Sequence, residues 1–191
     1  ALCFTGHKGL LGPQGIGGMI LTKEMAQSLT PLIAGGTGSF SHLETMPTNM
    51  PDAFESGTLN LPGIIGLNEG LTFIESKGME NIHNHELALT EAFLKGLRPI
   101  DGINIIGKQD VQDRTAVVSI TIDGADAASV AYELESTYHI MTRVGLHCAP
   151  RAHQTLGTYP EGTVRFSFGY ANTMEDIETA LSALTTIANK I

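Results

Sequence analysis

Cysteine occurs only twice, at Cys3 and Cys148, too few for a disulfide framework. That scarcity points to reduced thiols and a cytoplasmic setting. Positive charge is also short: 11 Lys and Arg stand against 20 Asp and Glu, a net charge of -9. A surface of that sign argues against nucleic acid or an anionic membrane as the main partner. No apolar run approaches the roughly 18 residues that a bilayer-spanning helix needs. No basic stretch followed by an apolar one marks a secretory leader, and neither repeats nor low-complexity tracts are visible. What remains is 191 residues, 42% hydrophobic and 16% charged, the balance of a globular chain of one large domain or one and a half. The chain opens on Ala1 rather than Met, inside what reads as a strand, so we expect further residues upstream.

The stretch Thr5-Gly6-His7-Lys8-Gly9-Leu10-Leu11-Gly12-Pro13-Gln14-Gly15-Ile16-Gly17-Gly18 puts a lysine beside a histidine at the start of a glycine-rich loop. Glycine lets backbone approach a ligand closely and reach positive φ. A lysine amine in such a loop can bind phosphate as a point charge or form a Schiff base with an aldehyde. An ordinary solvated lysine is the plain alternative. Two phosphate-loop readings fail on residue order. A Walker loop puts Gly-Lys-Ser/Thr after its glycines, and Lys8 precedes them. A dinucleotide fingerprint needs Gly-x-Gly-x-x-Gly between strand and helix. Here Gly15-Ile16-Gly17 is followed by Ile20 in the third position and leads into a strand.

Residues 1–4 read as the end of a buried strand and 17–22 as another, with Met19, Ile20 and Leu21 apolar. A short helix over 23–29 is stopped by Thr30-Pro31. Residues 34–61 are rich in Gly, Ser, Thr and Pro without helical period; so long a stretch inside a compact domain is functional or disordered. Pro62 suits a first helical turn, and Ile64, Ile65, Leu67, Leu71 and Ile74 recur at helical spacing up to Gly78. A second helix over 79–97 turns Ile82, Leu87, Phe93, Leu94 and Leu97 inward, and Arg98-Pro99 stops it. Beyond 99 we expect strands at 103–106, 116–122, 139–144 and 163–169, with a helix over 125–138. In the last strand Val164, Phe166 and Phe168 oppose Arg165 and Ser167. Thr173 caps the final helix, with Asp176 three residues on and Glu175 favouring the helix dipole. The order β-β-α-β-β-α predicts a compact α+β unit on an antiparallel or mixed sheet, with a boundary near residue 98.

Cys148 lies in Arg143-Val144-Gly145-Leu146-His147-Cys148-Ala149-Pro150, after a strand and among Gly and Pro. A loop thiol beside a histidine, with Arg143 and Arg151 near, has the surroundings of a nucleophile. A small buried cysteine is the alternative. His147, Cys148 and His153 suggest zinc ligands, but no second pair accompanies them. His83 and His85 stand two apart, on different faces of a helix, and read as solvent-facing. Arg165 is either an exposed edge residue or a buried arginine gripping a carboxylate in bidentate fashion. Cys3, in an apolar run, reads as core.

In series, these segments resemble the cysteine desulfurases of the class V aminotransferase family, fold-type I enzymes that use pyridoxal 5'-phosphate (PLP). The matching stretches are Thr5-Gly6-His7-Lys8 with Gly12-Pro13-x-Gly15-x-Gly17, and Phe54-Glu55-Ser56-Gly57-Thr58. They continue with Arg143-x-Gly145-x-His147-Cys148-Ala149, then Val164-Arg165-x-Ser167 and Tyr170-x-Asn172-Thr173. Leu146-His147-Cys148-Ala149-Pro150 followed by Thr155-Leu156-Gly157-Thr158 is similar to a branch described only as cysteine-desulfurase-like.

The resemblance implies an α/β fold. Residues 1–98 would be the C-terminal part of a PLP-binding large domain, and 99–191 a small C-terminal α+β domain carrying the cysteine loop. Lys8 would hold PLP as a Schiff base and shuttle protons, with Thr5 and His7 on the phosphate. Thr58 would reach the phosphate of the neighbouring subunit's cofactor, making the site a property of a homodimer. Arg165 would bind the substrate α-carboxylate, assisted by Arg143. Cys148 would take sulfur from L-cysteine or a related amino acid as a persulfide, release L-alanine, and pass the sulfur to an acceptor protein or small thiol. PLP supplies the electron sink, and the protein supplies orientation and proton transfer. No metal is implied.

The family's chains extend well beyond this length. On the resemblance, four features belong upstream of Ala1: the first strands of the large sheet, the phosphate-binding turn, the histidine that stacks on PLP and the aspartate that pairs with its pyridine nitrogen. We therefore expect this chain alone to be an inactive C-terminal fragment. Selenocysteine lyase or another class V aminotransferase-like enzyme shares the same parts, although transamination needs no thiol such as Cys148. An isolated dimerisation or sulfur-carrier module is the non-enzyme alternative.

Overall fold

The first strand, β1 (Leu2–Thr5), runs into the glycine-rich loop and returns as β2 (Gly17–Ile20), its antiparallel partner in a two-stranded sheet. Leu2 faces Ile20 and Thr5 faces Gly17. The pairing requires glycine at 18, where a Cβ would lie 2.4 Å from the Phe4 ring. Helix α1 (Lys23–Ser28) starts at Thr22, whose hydroxyl accepts from the Met25 N–H and so satisfies a free donor of the first turn. One 3-10 turn, Asp52–Phe54, interrupts the long loop that follows. Helix α2 (Leu61–Lys77) is capped by Asn60, which accepts from the Gly63 N–H at 3.1 Å. Pro62 sits in its first turn, where a missing N–H is harmless.

The computed structural model describes residues 1–191 as two units, Ala1–Met79 and Glu80–Ile191. In the first, Ala53 and Pro47 are the only apolar side chains buried. Leu2, Ile20 and Ile65 remain about 60% exposed and Leu32 fully so. Cys3 is exposed as well, which corrects its expected place in a core. Its strand has apolar neighbours but no second layer within these residues to cover them.

The second unit holds the core. Its elements are α3 (Met79–Leu97), β3 (Ile103–Ile106), β4 (Val117–Ile122), α4 (Ala127–Tyr138), β5 (Arg143–Gly145), α5 (Pro150–Leu156), β6 (Thr163–Ser167) and α6 (Met174–Ala188). The sheet is antiparallel throughout, in the order β3-β4-β6-β5. Strand alternation sends Val118, Ile120, Ile122, Val164 and Phe166 to one face. There they meet Leu89, Phe93, Leu94 and Leu97 of α3, Val130 and Leu134 of α4, and Ile177, Ala183, Leu184 and Ile187 of α6. Phe93 packs against Phe166 and Phe168 with ring centroids 4.9 and 5.1 Å apart. Thr173 and Asp176 form a reciprocal capping box at the start of α6. Because α3 gives its apolar face to this core, the helix belongs with the second unit.

Three local expectations need correction. The strand expected over 139–144 is confined to Arg143–Gly145, because His139 ends α4 in left-handed backbone at φ 58 and the chain must turn before it can pair. Helix α5 was not expected. His85 does not face solvent: it is half-buried, its Nε2 lies 2.9 Å from the Asn172 carbonyl oxygen, and its ring meets Tyr170 edge-on at 5.6 Å. No helix is long and apolar enough to cross a membrane.

Candidate functional site

Lys8 sits exposed on the loop between β1 and β2 and pairs with no carboxylate. The loop closes on itself through three backbone bonds: Gly6 N–H to the Ile16 carbonyl at 2.9 Å, Gly12 N–H to the Gly6 carbonyl at 2.8 Å, and Leu11 N–H to the Lys8 carbonyl at 3.0 Å. Its seat is the glycine face of α2. A Cβ on Gly70 would fall 2.5 Å from the Leu10 carbonyl oxygen, and one on Gly66 would fall 2.8 Å from the Pro13 ring. Asn60 Nδ2 ties the far side of the loop by donating to the Gly15 carbonyl at 3.1 Å. Thr5 ends β1 and His7 stands exposed beside Lys8. Thr58 is exposed after Gly57, whose N–H donates to the Gly36 carbonyl at 2.7 Å. An unpaired amine with a hydroxyl and an imidazole close by in the chain is a donor set that fits an aldehyde and a phosphate, the two reactive ends of PLP.

Cys148 stands in a short turn, Leu146 to Ala149, between β5 and α5. The Ala149 N–H donates to the Leu146 carbonyl at 2.8 Å. His147 and Cys148 are both left-handed, at φ 51 and 61, which costs roughly 1–2 kcal/mol each relative to right-handed backbone. Cys148 is exposed, so the buried alternative fails. Its Sγ lies 3.7 Å from Arg143 Nη2. Arg151 is exposed on α5.

Arg143 is the register partner of Arg165, and Ser119 of β4 flanks Arg165 on the other side. Because β6 lies between β4 and β5, Arg165 is not an edge residue. It is half-buried, its Nε is buried without a hydrogen-bond partner, and no carboxylate lies within ion-pair distance of either guanidinium. Like charges directly opposite each other destabilise a sheet, and an anion bound between them would relieve that repulsion.

His147 Nε2 lies 3.1 Å from Thr163 Oγ1. Its ring is 5.6 Å from that of His153, which is buried with Nδ1 2.7 Å from Thr158 Oγ1. Burial first, then the neighbouring Arg165, His153 and Arg143, push His147 below the ordinary histidine range and keep it neutral at neutral pH. No three His, Cys, Asp or Glu side chains gather where they could share a metal ion. Thr158 and Thr163 escape sequence reasoning. The available signal was Pro150 and Gly157 bracketing a helix, which turns His153 inward.

The model of the aminotransferase class-V family matches residues 1–180, and the chain belongs to that family. Its relatives include probable cysteine desulfurases. A probable cysteine desulfurase of Methanothermobacter thermautotrophicus is 36% identical over 188 residues, covering 97% of this chain and 46% of the relative. One from Pyrococcus abyssi is 36% identical over 186 residues, covering 96% and 45%. Among solved structures, the apo cysteine desulfurase of Thermococcus onnurineus NA1 superposes with a TM-score of 0.90 at 32% identity, over 99% of this chain and 47% of that one. The S-sulfonic acid form of the Escherichia coli cysteine desulfurase CsdA gives 0.85 at 26% identity, over 99% and 46%. The chain thus spans about half the length of the curated relatives it matches. PLP is the cofactor expected for the family.

Proposed function

We propose that this chain supplies the covalent lysine, the sulfur-accepting thiol and the carboxylate-binding arginines of a PLP-dependent cysteine desulfurase that converts L-cysteine to L-alanine. One observation carries the reading: the exposed Cys148 Sγ lies 3.7 Å from Arg143, which stands opposite Arg165 with its unpartnered Nε. A nucleophilic thiol and an anion-seeking pair share one end of the sheet.

Lys8 Nζ is the amine that would hold PLP covalently, with Thr5 and His7 on its phosphate. When bound, the cofactor supplies an electron sink. Arg165, assisted by Arg143, grips the substrate α-carboxylate. The Cys148 thiolate attacks the substrate sulfur, so that an S–S bond forms as the Cβ–S bond breaks. The pair from the broken bond stays with the substrate carbon, which takes a proton, and Lys8 Nζ is the group that moves protons there. Alanine leaves, and Cys148 keeps the sulfur as a persulfide until an acceptor protein or small thiol removes it. Thr58 serves the cofactor of the neighbouring subunit in a homodimer. Free, exposed thiols at Cys3 and Cys148 suit a reducing, cytoplasmic setting.

The chain alone is expected to release little or no alanine. Residues 1–79 bury almost no apolar side chains, and the chain spans 46% of its Methanothermobacter relative. Alanine assays on the 191-residue chain with PLP and L-cysteine test this; turnover at rates typical of an enzyme overturns it. A visible absorbance band on adding PLP, absent in Lys8→Ala, tests the covalent lysine. In the longer enzyme, Cys148→Ala should abolish sulfide release and keep that band. Unchanged sulfide release would remove Cys148 from the reaction. Comparing turnover of L-cysteine with that of L-selenocysteine separates a desulfurase from a selenocysteine lyase.

A further inference from the structure

We propose that His147 is a positioning residue for Cys148: clamped to β6 through Thr163 and backed by His153, its ring holds the Leu146 to Ala149 turn so that the thiol stays beside Arg143. The proposal rests on the reading of Cys148 as the sulfur-accepting thiol.

Two consecutive non-glycine residues in left-handed backbone, His147 and Cys148, do not persist unless the surroundings over-determine them. The turn's own contribution is a single backbone bond, Ala149 N–H to the Leu146 carbonyl. Beyond that bond and the 3.7 Å contact of Sγ with Arg143, the hold comes through the His147 ring. Its anchor, Thr163, is fully buried and paired in register with Gly145. Gly162, just before it, lies so close to Gly145 that a Cβ there would be 2.3 Å from the Gly145 carbonyl carbon. The anchor therefore cannot follow the turn if the turn moves. On the other side, His153 is fixed by Thr158 at 2.7 Å and stands 5.6 Å from His147. The chain leaving Cys148 thus folds back through α5 to support the residue before it. His147 Nδ1 is buried and has no hydrogen-bond partner. A ring with one polar contact and one silent nitrogen behaves as a wedge, not as an acid or base. Without it, residues 147 and 148 can relax to right-handed backbone, which carries Sγ away from Arg143.

Alkylation of the 191-residue chain by iodoacetamide at pH 7 tests this, with mass spectrometry resolving Cys148 from the exposed Cys3 as internal reference. His147→Ala frees the turn, so Sγ no longer keeps its one place against the Arg143 guanidinium, and the Cys148-to-Cys3 rate ratio should fall about fivefold. Thr163→Val, which keeps the shape and removes the hydroxyl, should lower it similarly. His147→Asn tolerates left-handed backbone without the ring, so it should recover the ratio to within about twofold. An unchanged ratio in both His147→Ala and Thr163→Val overturns the proposal. So does His147→Asn as slow as His147→Ala, because the backbone conformation is then not what the ring holds. If His147→Ala does not fold, Thr163→Val and His147→Asn decide. Alkylation needs neither PLP nor L-cysteine, so its outcome is independent of whether Cys148→Ala abolishes sulfide release.

Discussion

Arg143 and Arg165 face each other directly across β5 and β6, two guanidinium groups with no carboxylate between them. Such a like-charge pair destabilises a sheet by about 0.2–1 kcal/mol. Arg143→Gln should therefore leave the chain as stable or up to about 1 kcal/mol more stable in urea unfolding. On the proposed reading, the same substitution in a longer enzyme should raise KM for L-cysteine, because Arg143 would no longer assist Arg165 on the carboxylate. A large loss of stability would mean that Arg143 holds the fold rather than a ligand.

The two units differ sharply in what a core substitution should do. Phe93 is fully buried between Phe166 and Phe168, and Phe93→Ala should cost about 3–5 kcal/mol. Ile65 on α2 is 63% exposed, and Ile65→Ala should change stability by less than about 0.5 kcal/mol. Paired urea titrations check both. A large Ile65→Ala effect would show that α2 buries that side chain in solution, for example against a second copy.

Much of this was legible from residue pattern. Alternation in 163–169 assigned Val164 and Phe166 to the core and Arg165 to the opposite face, because period two is a strong signal over five residues. The Thr173–Asp176 cap and Pro62 in a first turn follow from local chemistry that tertiary packing does not override. Helix α5 was invisible to periodicity: in its seven residues the only buried side chain is a histidine. Cys3 was misplaced because an apolar run reports that a strand should be covered, not that its cover lies within the same residues. The Thr163 and Thr158 partners of the two histidines were out of reach, since a hydroxyl 16 residues from His147 and another five residues from His153 leave no periodic mark.

Stability should also depend on the charge state of His147. Burial, then Arg165, His153 and Arg143, hold its folded-state pKa below the ordinary range. In an unfolded chain a histidine titrates near about 6.5. Below that pH the unfolded chain takes up a proton that folded His147 resists, so the unfolded state binds more protons and stability falls as pH falls. The loss begins near pH ~6.5 and stops once the folded-state pKa is passed. His147→Asn should flatten this part of the profile in urea titrations run at closely spaced pH values. Retention of the full slope in His147→Asn would assign it to another histidine.

The seat of the lysine loop gives opposing expectations that magnitudes resolve. Helix propensity alone predicts that Gly70→Ala in α2 gains about 1 kcal/mol. Packing predicts the reverse: the new Cβ would lie 2.5 Å from the Leu10 carbonyl oxygen and 2.9 Å from the Leu11 carbonyl carbon. Both are backbone atoms and cannot rotate aside, and overpacking of this kind costs about 1–3 kcal/mol. Packing should win, lifting the loop that carries Lys8 off the helix. Gly9→Ala is the matched control, since nothing lies within 4 Å of a Cβ at that position. Amide exchange reads the outcome at Gly12 and Leu11, whose N–H groups close the loop onto the Gly6 and Lys8 carbonyls. Both amides should exchange faster in Gly70→Ala and at the parent rate in Gly9→Ala. Equal protection in the two variants would mean that α2 itself shifts to make room, and that the loop is held by its internal hydrogen bonds rather than by the glycine face beneath it.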